Sequence, residues 1–222
     1  MCRSARTGSQ RLAAGCRRLS AGCLHPGHGG TDCATECQAS GLAGVSLGGL
    51  MGMMLAAQPK SPIRRLVVDD IGGYVGVEAL QRIAAYVGQD PVFADRAGLE
   101  AYMREVNVGY GPLTAAQWAH VIEHGHRIDE NGQWRQHYDP KLAEPFREGF
   151  SEPVALWPLW DLITCPVMIL RGGLSDILTA ETAAEMVSRK PGTILVEFEG
   201  IGHAPMLMEP EQVNPVRDFL QD

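Results

Sequence analysis

Apolar positions fall in two rhythms along this chain. Short continuous runs occur at residues 64–69 (RRLVVD), 166–170 (PVMIL) and 193–198 (TILVEF). Runs of that length, rich in β-branched residues, predict parallel strands buried on both faces. Between the last two, residues 180–188 have helical spacing, closed by Pro191 and Gly192. Further helices are predicted over GLMGMMLAA, which stops before Pro59, and over roughly residues 210–220. In the first of these, Met51, Met53 and Met54 are expected to fill the core. Strand alternating with helix predicts βαβ units, hence a parallel sheet with helices on both faces. Residues 72–160 break that rhythm. They carry helical patterns (VEALQRIAAYVG and AGLEAYMREVNV) with tryptophans and tyrosines scattered between them.

A chain of 222 residues suits one domain, or one core with an inserted subdomain. Its 45% hydrophobic and 20% charged content is ordinary for a globular protein. A net charge of −7 argues against nucleic acid or an anionic membrane as the main partner. No run of eighteen apolar residues predicts a membrane span. The basic N-terminus has no apolar stretch of the kind a secretory signal needs, so a cytoplasmic protein is expected.

The first 44 residues change the picture. They hold five of the six cysteines (Cys2, Cys16, Cys23, Cys33 and Cys37) and little apolar periodicity. Five arginines against Asp32 and Glu36 give this segment a net +3, leaving −10 for the remainder. No C-x-x-C pair supports zinc, and a disulfide framework would require export. A disordered basic arm is one reading.

Three strings carry chemistry: GVSLGG around Ser46, RGGLSD ending at Asp176, and GIGHAP around His203. A serine hydroxyl is a poor nucleophile at neutral pH. It needs an imidazole to take its proton and a carboxylate to hold that imidazole in the right tautomer. Ser46 is therefore the expected nucleophile and His203 the general base, later the acid that protonates the leaving group. Asp176, at the carboxyl end of a strand, is expected to orient His203; Asp69 and Asp70 end another strand and are the alternatives. Gly44 and Gly48 suit a sharp strand-to-helix turn, and the Leu47 N–H at the new helix start is the expected oxyanion donor. His120, His124 and His126 form an H-x3-H-x-H cluster, read first as a solvated face and second as a zinc site. Trp118, Trp134, Trp157 and Trp160 read as packing. Arg171 reads as structural, with an acidic substrate as its other use.

With these strings in the order Ser…Asp…His, residues 44–222 resemble the C-terminal four-fifths or so of a capped α/β-hydrolase-fold enzyme. The resemblance implies an α/β-hydrolase-like parallel sheet with flanking helices, incomplete at its N-terminal side, plus an inserted helical cap. It divides the chain into core at residues 45–71, cap at 72–160 and core again at 161–222. It implies a cofactor-independent serine hydrolase, with no metal, acting on small esters or related activated carbonyls; nothing in it speaks to oligomeric state. Lactonase, perhydrolase and carbon–carbon bond hydrolase chemistries share the scaffold. A serine at the elbow argues against dehalogenase or epoxide-hydrolase chemistry. Rival readings are an inactive truncated fragment and a metal-binding protein built on the histidines.

The family carries a strand directly before the nucleophile, and GLAG at residues 41–44 is a poor candidate for one. Read one base later, with suitable synonymous codons, residues 6–13 give GRGVSDWL. Residues 25–44 give IQDMVALIARLNVKRLDWLG, an amphipathic helix and apolar strand running into Ser46. Residues 1–44 are therefore expected to be out of frame, and the family's first three strands and second oxyanion donor to be missing. A bare sheet edge would then leave the chain poorly folded and weakly active.

Overall fold

The computed structural model describes residues 40–221 except Glu148. Strand β1 (Ser40–Val45) leads into helix α1 (Leu47–Ala56) and strand β2 (Ile63–Asp69). A long excursion follows. It contains β3 (Tyr74–Val75), α2 (Val77–Ala84), α3 (Arg96–Val106), α4 (Ala115–Gly125), the short strands β4 (His126–Ile128), β5 (Trp134–Gln136) and β6 (Val154–Ala155), and α5 (Trp157–Asp161). The chain then returns through β7 (Val167–Gly172), α6 (Ala180–Arg189), β8 (Ile194–Phe198) and α7 (Pro210–Gln221).

Strands β1, β2, β7 and β8 form one parallel sheet in that order. The apolar runs read from the sequence become β2, β7 and β8, each within a residue or two of its expected ends. In β2 and β7 the side chains alternate between two cores, which is why they are continuously apolar, whereas the edge strand β8 leaves Ile194 and Leu195 exposed. Leu66, Val68, Val167 and Ile169 pack with Met53 of α1, Trp160 of α5, and Ala183 and Met186 of α6. Val67, Met168 and Leu170 pack with Val216 and Phe219 of α7. The fold is a mainly parallel sheet with flanking helices. Among the described residues, no helix is long and apolar enough to cross a membrane.

Residues 41–44 depart from expectation, because they are strand. β1 pairs in parallel with β2, Val45 opposite Asp69. Weak strand propensity is overridden by close packing that only small residues allow. A Cβ on Gly41 would lie 2.8 Å from the Leu220 side chain, and one on Gly44 2.3 Å from the Gly48 backbone. Among the described residues the sheet thus includes Ser40–Val45. Residues 1–39, where most of the out-of-frame reading falls, lie outside the described residues. The methionines also divide: Met53 is fully buried, whereas Met51 and Met54 are more than half exposed among the described residues.

The excursion builds a small core of its own. Leu99, Met103 and Ile122 are buried, with Phe93, Tyr102 and Trp134 packed around them. Asp95 caps α3 by accepting from the Gly98 N–H, and Thr114 with Gln117 forms a capping box on α4. Of the four tryptophans, Trp118 and Trp160 are buried. Trp134 stacks on His126, and Trp157 lies under the Arg189 guanidinium.

Candidate active site

Sheet order brings three loops to one edge. β2 lies between β1 and β7, and β8 flanks β7, so the carboxyl ends of all four strands adjoin. Ser46 follows β1 directly, and its N–H still donates to the Asp69 carbonyl at 2.9 Å. The chain then reverses into α1 through a Ser46 backbone at φ 49° and ψ −113°. A non-glycine residue at positive φ is strained, and such strain gathers at functional sites. The turn is tight because Gly44 has no Cβ to strike Gly48. Gly48 itself has open space around a would-be Cβ; Gly49 is the second obligatory glycine, 2.5 Å from Ile71.

His203 lies in the loop between β8 and α7. Its Nε2 is 3.0 Å from Ser46 Oγ, and its Nδ1 is 2.7 Å from Asp70 Oδ2. Ser46, His203 and Asp70 thus form a continuous relay. The loop is pinned from the excursion, where the Gly109 carbonyl accepts the Gly202 N–H at 2.8 Å. A side chain at Gly109 would meet the His203 backbone at 2.6 Å.

Asp176, the expected acid, makes its side-chain hydrogen bonds away from the imidazole. Asp176 is held by Arg82, with Nε to Oδ2 at 2.6 Å and Nη2 to Oδ1 at 2.7 Å. Burial pushes the Asp176 carboxyl up, but the Arg82 hydrogen bond and charge, aided by His203, bring it below its ordinary value. Arg82 is shifted upward in turn, first by its hydrogen bond to Asp176. Asp70, which directly follows β2, takes the place beside the imidazole. Fully buried, it accepts from three donors: the Gly172 N–H at 2.8 Å, the Ser175 hydroxyl at 2.5 Å, and His203. A buried carboxylate needs such donors to remain charged.

Ser175 is a site residue that sequence reasoning missed. Its Oγ also accepts from the N–H groups of Ile177 and Leu178, each at 3.2 Å. Arg171 supports the same loop from within. It is buried, donates to the Leu178 and Gly173 carbonyls, and pairs with Glu197. Its place is structural. His120 and His124 touch edge to face on the exposed side of α4, and His126 Nδ1 lies 2.7 Å from the Ile122 carbonyl. Among the described residues, no three potential metal ligands converge.

Asp69 contrasts with its neighbour. It is 1% exposed, and neither carboxyl oxygen has a hydrogen-bond partner among the described residues. Burial, and then the charge of Asp70, push it up to about 8. The folded value exceeds that of the unfolded chain, so folding takes up a proton. The stability tied to that proton is present below about pH 4 and lost as pH rises towards 8. Asp69→Asn is therefore expected to raise the urea midpoint most at pH 9, the gain shrinking towards pH 5. A gain that does not depend on pH would contradict this reading.

Ser46 and His203 open on a pocket of about 420 Å³ between the sheet edge and the excursion. That volume suits a small ligand. Its wall includes Val45, Arg82, Tyr86, Val108, Leu174 and Asp176. The Leu47 N–H opens α1 beside Ser46, among the first N–H groups, which have no partner within a helix.

Comparison with known proteins agrees with this architecture. A model described as "Alpha/beta hydrolase family" matches residues 13–216. The 3-hydroxybutyrate-oligomer hydrolase of Cupriavidus necator is 38% identical over 179 residues, covering 77% of this chain and 61% of the relative. An esterase of Mycobacterium tuberculosis is 30% identical over 176 residues, covering 72% and 53%. Among solved structures, an alpha/beta hydrolase from Novosphingobium aromaticivorans superposes with a TM-score of 0.72 at 39% identity, covering 81% of this chain and 64% of that one. The chain thus spans less than two thirds of each of these relatives.

Proposed function

Because the chain belongs to the alpha/beta hydrolase family, we propose that it hydrolyses small carboxylic esters through Ser46, His203 and Asp70. The observation that carries this reading is the relay itself, 3.0 Å from Ser46 to His203 and 2.7 Å from His203 to Asp70, opening on the pocket. His203 Nε2 accepts the Ser46 proton as Oγ attacks the ester carbonyl. The Leu47 N–H is one donor to the tetrahedral oxyanion. His203 then passes its proton to the departing alkoxide, leaving an acyl-enzyme on Ser46. Water, deprotonated by the same imidazole, attacks that acyl group and releases the acid. Asp70 keeps the Nδ1 proton in place and stabilises the imidazolium.

Residues 72–160 act as a cap in this proposal, since they supply Arg82, Tyr86 and Val108 to the pocket wall. The substrate class follows the 38% identical oligomer hydrolase: short esters of hydroxy acids. A pocket of about 420 Å³ with polar and apolar walls suits such small substrates.

The test uses the full chain with p-nitrophenyl butyrate and a fluorophosphonate. A burst of p-nitrophenol equivalent to the enzyme present, and a phosphonyl adduct mapped to Ser46, are the expected results. A folded chain that hydrolyses the ester yet leaves Ser46 unlabelled would overturn the assignment.

A further inference from the structure

Arg82 is unusual among the residues around Ser46. Of the described residues lining the pocket, it alone carries a fixed positive charge, and much of the remaining wall is apolar: Val45, Val106, Val108, Leu174 and Met206. Its ion pair with Asp176 joins α2 to the loop after β7, but both side chains are about half exposed. Ion pairs that open to solvent add little to stability. Fastening the excursion to the sheet is therefore a weak reason for an arginine in this place.

The mode of pairing suggests a better one. Asp176 takes the side of the guanidinium, through Nε and Nη2. Tyr86 also hydrogen-bonds the guanidinium, which still leaves donors beyond those that Asp176 and Tyr86 engage. A guanidinium has five donors in a fixed fork, so one carboxylate can hold the side edge while a second meets the end. Tyr86 lies beside Arg82 in the same wall. The pocket thus offers a nucleophile, an apolar wall and one cation with donors to spare.

We propose that Arg82 is the recognition group for a carboxylate on the substrate, and that Asp176 positions it. The substrate class is an anionic ester, with an aliphatic body and a free acid a few atoms from the scissile carbonyl. This rests on the ester-hydrolase reading above and narrows it. Asp176 orients the guanidinium and also competes for it, so the two residues act in opposite senses on the anion.

The test compares 3-acetoxybutanoate with its neutral amide, 3-acetoxybutanamide, following acetate release by the full chain. The wild type is expected to favour the acid in kcat/KM by about 30-fold, the range of a charge-assisted hydrogen bond. Arg82→Ala should bring the acid-to-amide ratio close to one, with Arg82→Lys in between. Asp176→Asn should raise that ratio by removing the competing charge. A pair that only fastens the excursion would instead lower both substrates alike in all three variants, which would overturn the proposal. So would a wild type that does not distinguish acid from amide.

A second arm needs no turnover. Calorimetric titration of Ser46→Ala with 3-acetoxybutanoate should show binding that is lost in the Ser46→Ala, Arg82→Ala double variant. Equal binding in both, or none in the first, would overturn the role of Arg82. Failure of the hydrolase reading looks different: the wild type turns over neither compound, while the titration still judges Arg82.

Discussion

Ser46→Ala is expected to lower kcat for a short-chain ester by about 10⁶-fold, the size of effect seen when a nucleophile is removed from a relay that works as a unit. The residual rate would come from the Leu47 N–H and from binding alone. The methyl group of alanine occupies less space than the hydroxymethyl, so the fold should survive the change. What makes the test sharp is the backbone at residue 46, held at positive φ by the Gly44–Gly48 contact whatever the side chain. Unaltered circular dichroism with lost turnover is the expected pair of observations. A variant that retained even a hundredth of the rate would remove Ser46 from the chemistry.

Asp70→Asn is expected to cost about 10⁴-fold in kcat, as for a triad whose imidazole is left in the wrong tautomer. The reason lies in the three donors around Asp70. An asparagine must turn its NH₂ towards either the Gly172 N–H or the side shared by Ser175 and His203. The backbone N–H cannot become an acceptor, whereas the Ser175 hydroxyl can rotate to accept. The NH₂ therefore faces His203 and makes Nδ1 the acceptor. The ring proton moves to Nε2, which can no longer take the proton of Ser46. Asp176→Asn, an equal change in charge, should fall short of this loss by orders of magnitude. Comparing the two variants on one neutral ester decides between the carboxylates, because equal damage at Asp176 would mean that the relay does not run through Asp70.

The two aspartates show where reading a sequence stops. Both follow a short apolar strand, and both satisfy the order Ser…Asp…His, since Asp70 and Asp176 each lie between residues 46 and 203. Order along the chain cannot choose between them. What separates them is which carboxylate the fold brings to His203 Nδ1, and that is a property of long-range packing. Ser175 was hidden for the same reason, since a serine in a glycine-rich loop has no local mark of the carboxylate it will meet. Arg82 lies 94 residues from its partner, within a helical pattern that looks like any other solvated face.

The elements that could be read were those whose cause is local. Strands β2 and β7 are continuous apolar runs because they are covered on two sides, and α6 and α7 keep helical spacing between their breakers. Ser46 and His203 stand out because a sharp turn and a tight loop require glycines beside them. β1 was not legible: its glycines and alanine have little strand propensity, and they become strand through pairing with β2 and through a closeness of packing that larger residues would forbid. The sequence by itself therefore determined most of the sheet and singled out Ser46 and His203, because those depend on neighbours in the chain. Tertiary structure alone placed Asp70 beside His203, Ser175 beside Asp70 and Arg82 in the pocket wall, because those contacts join residues far apart in the chain.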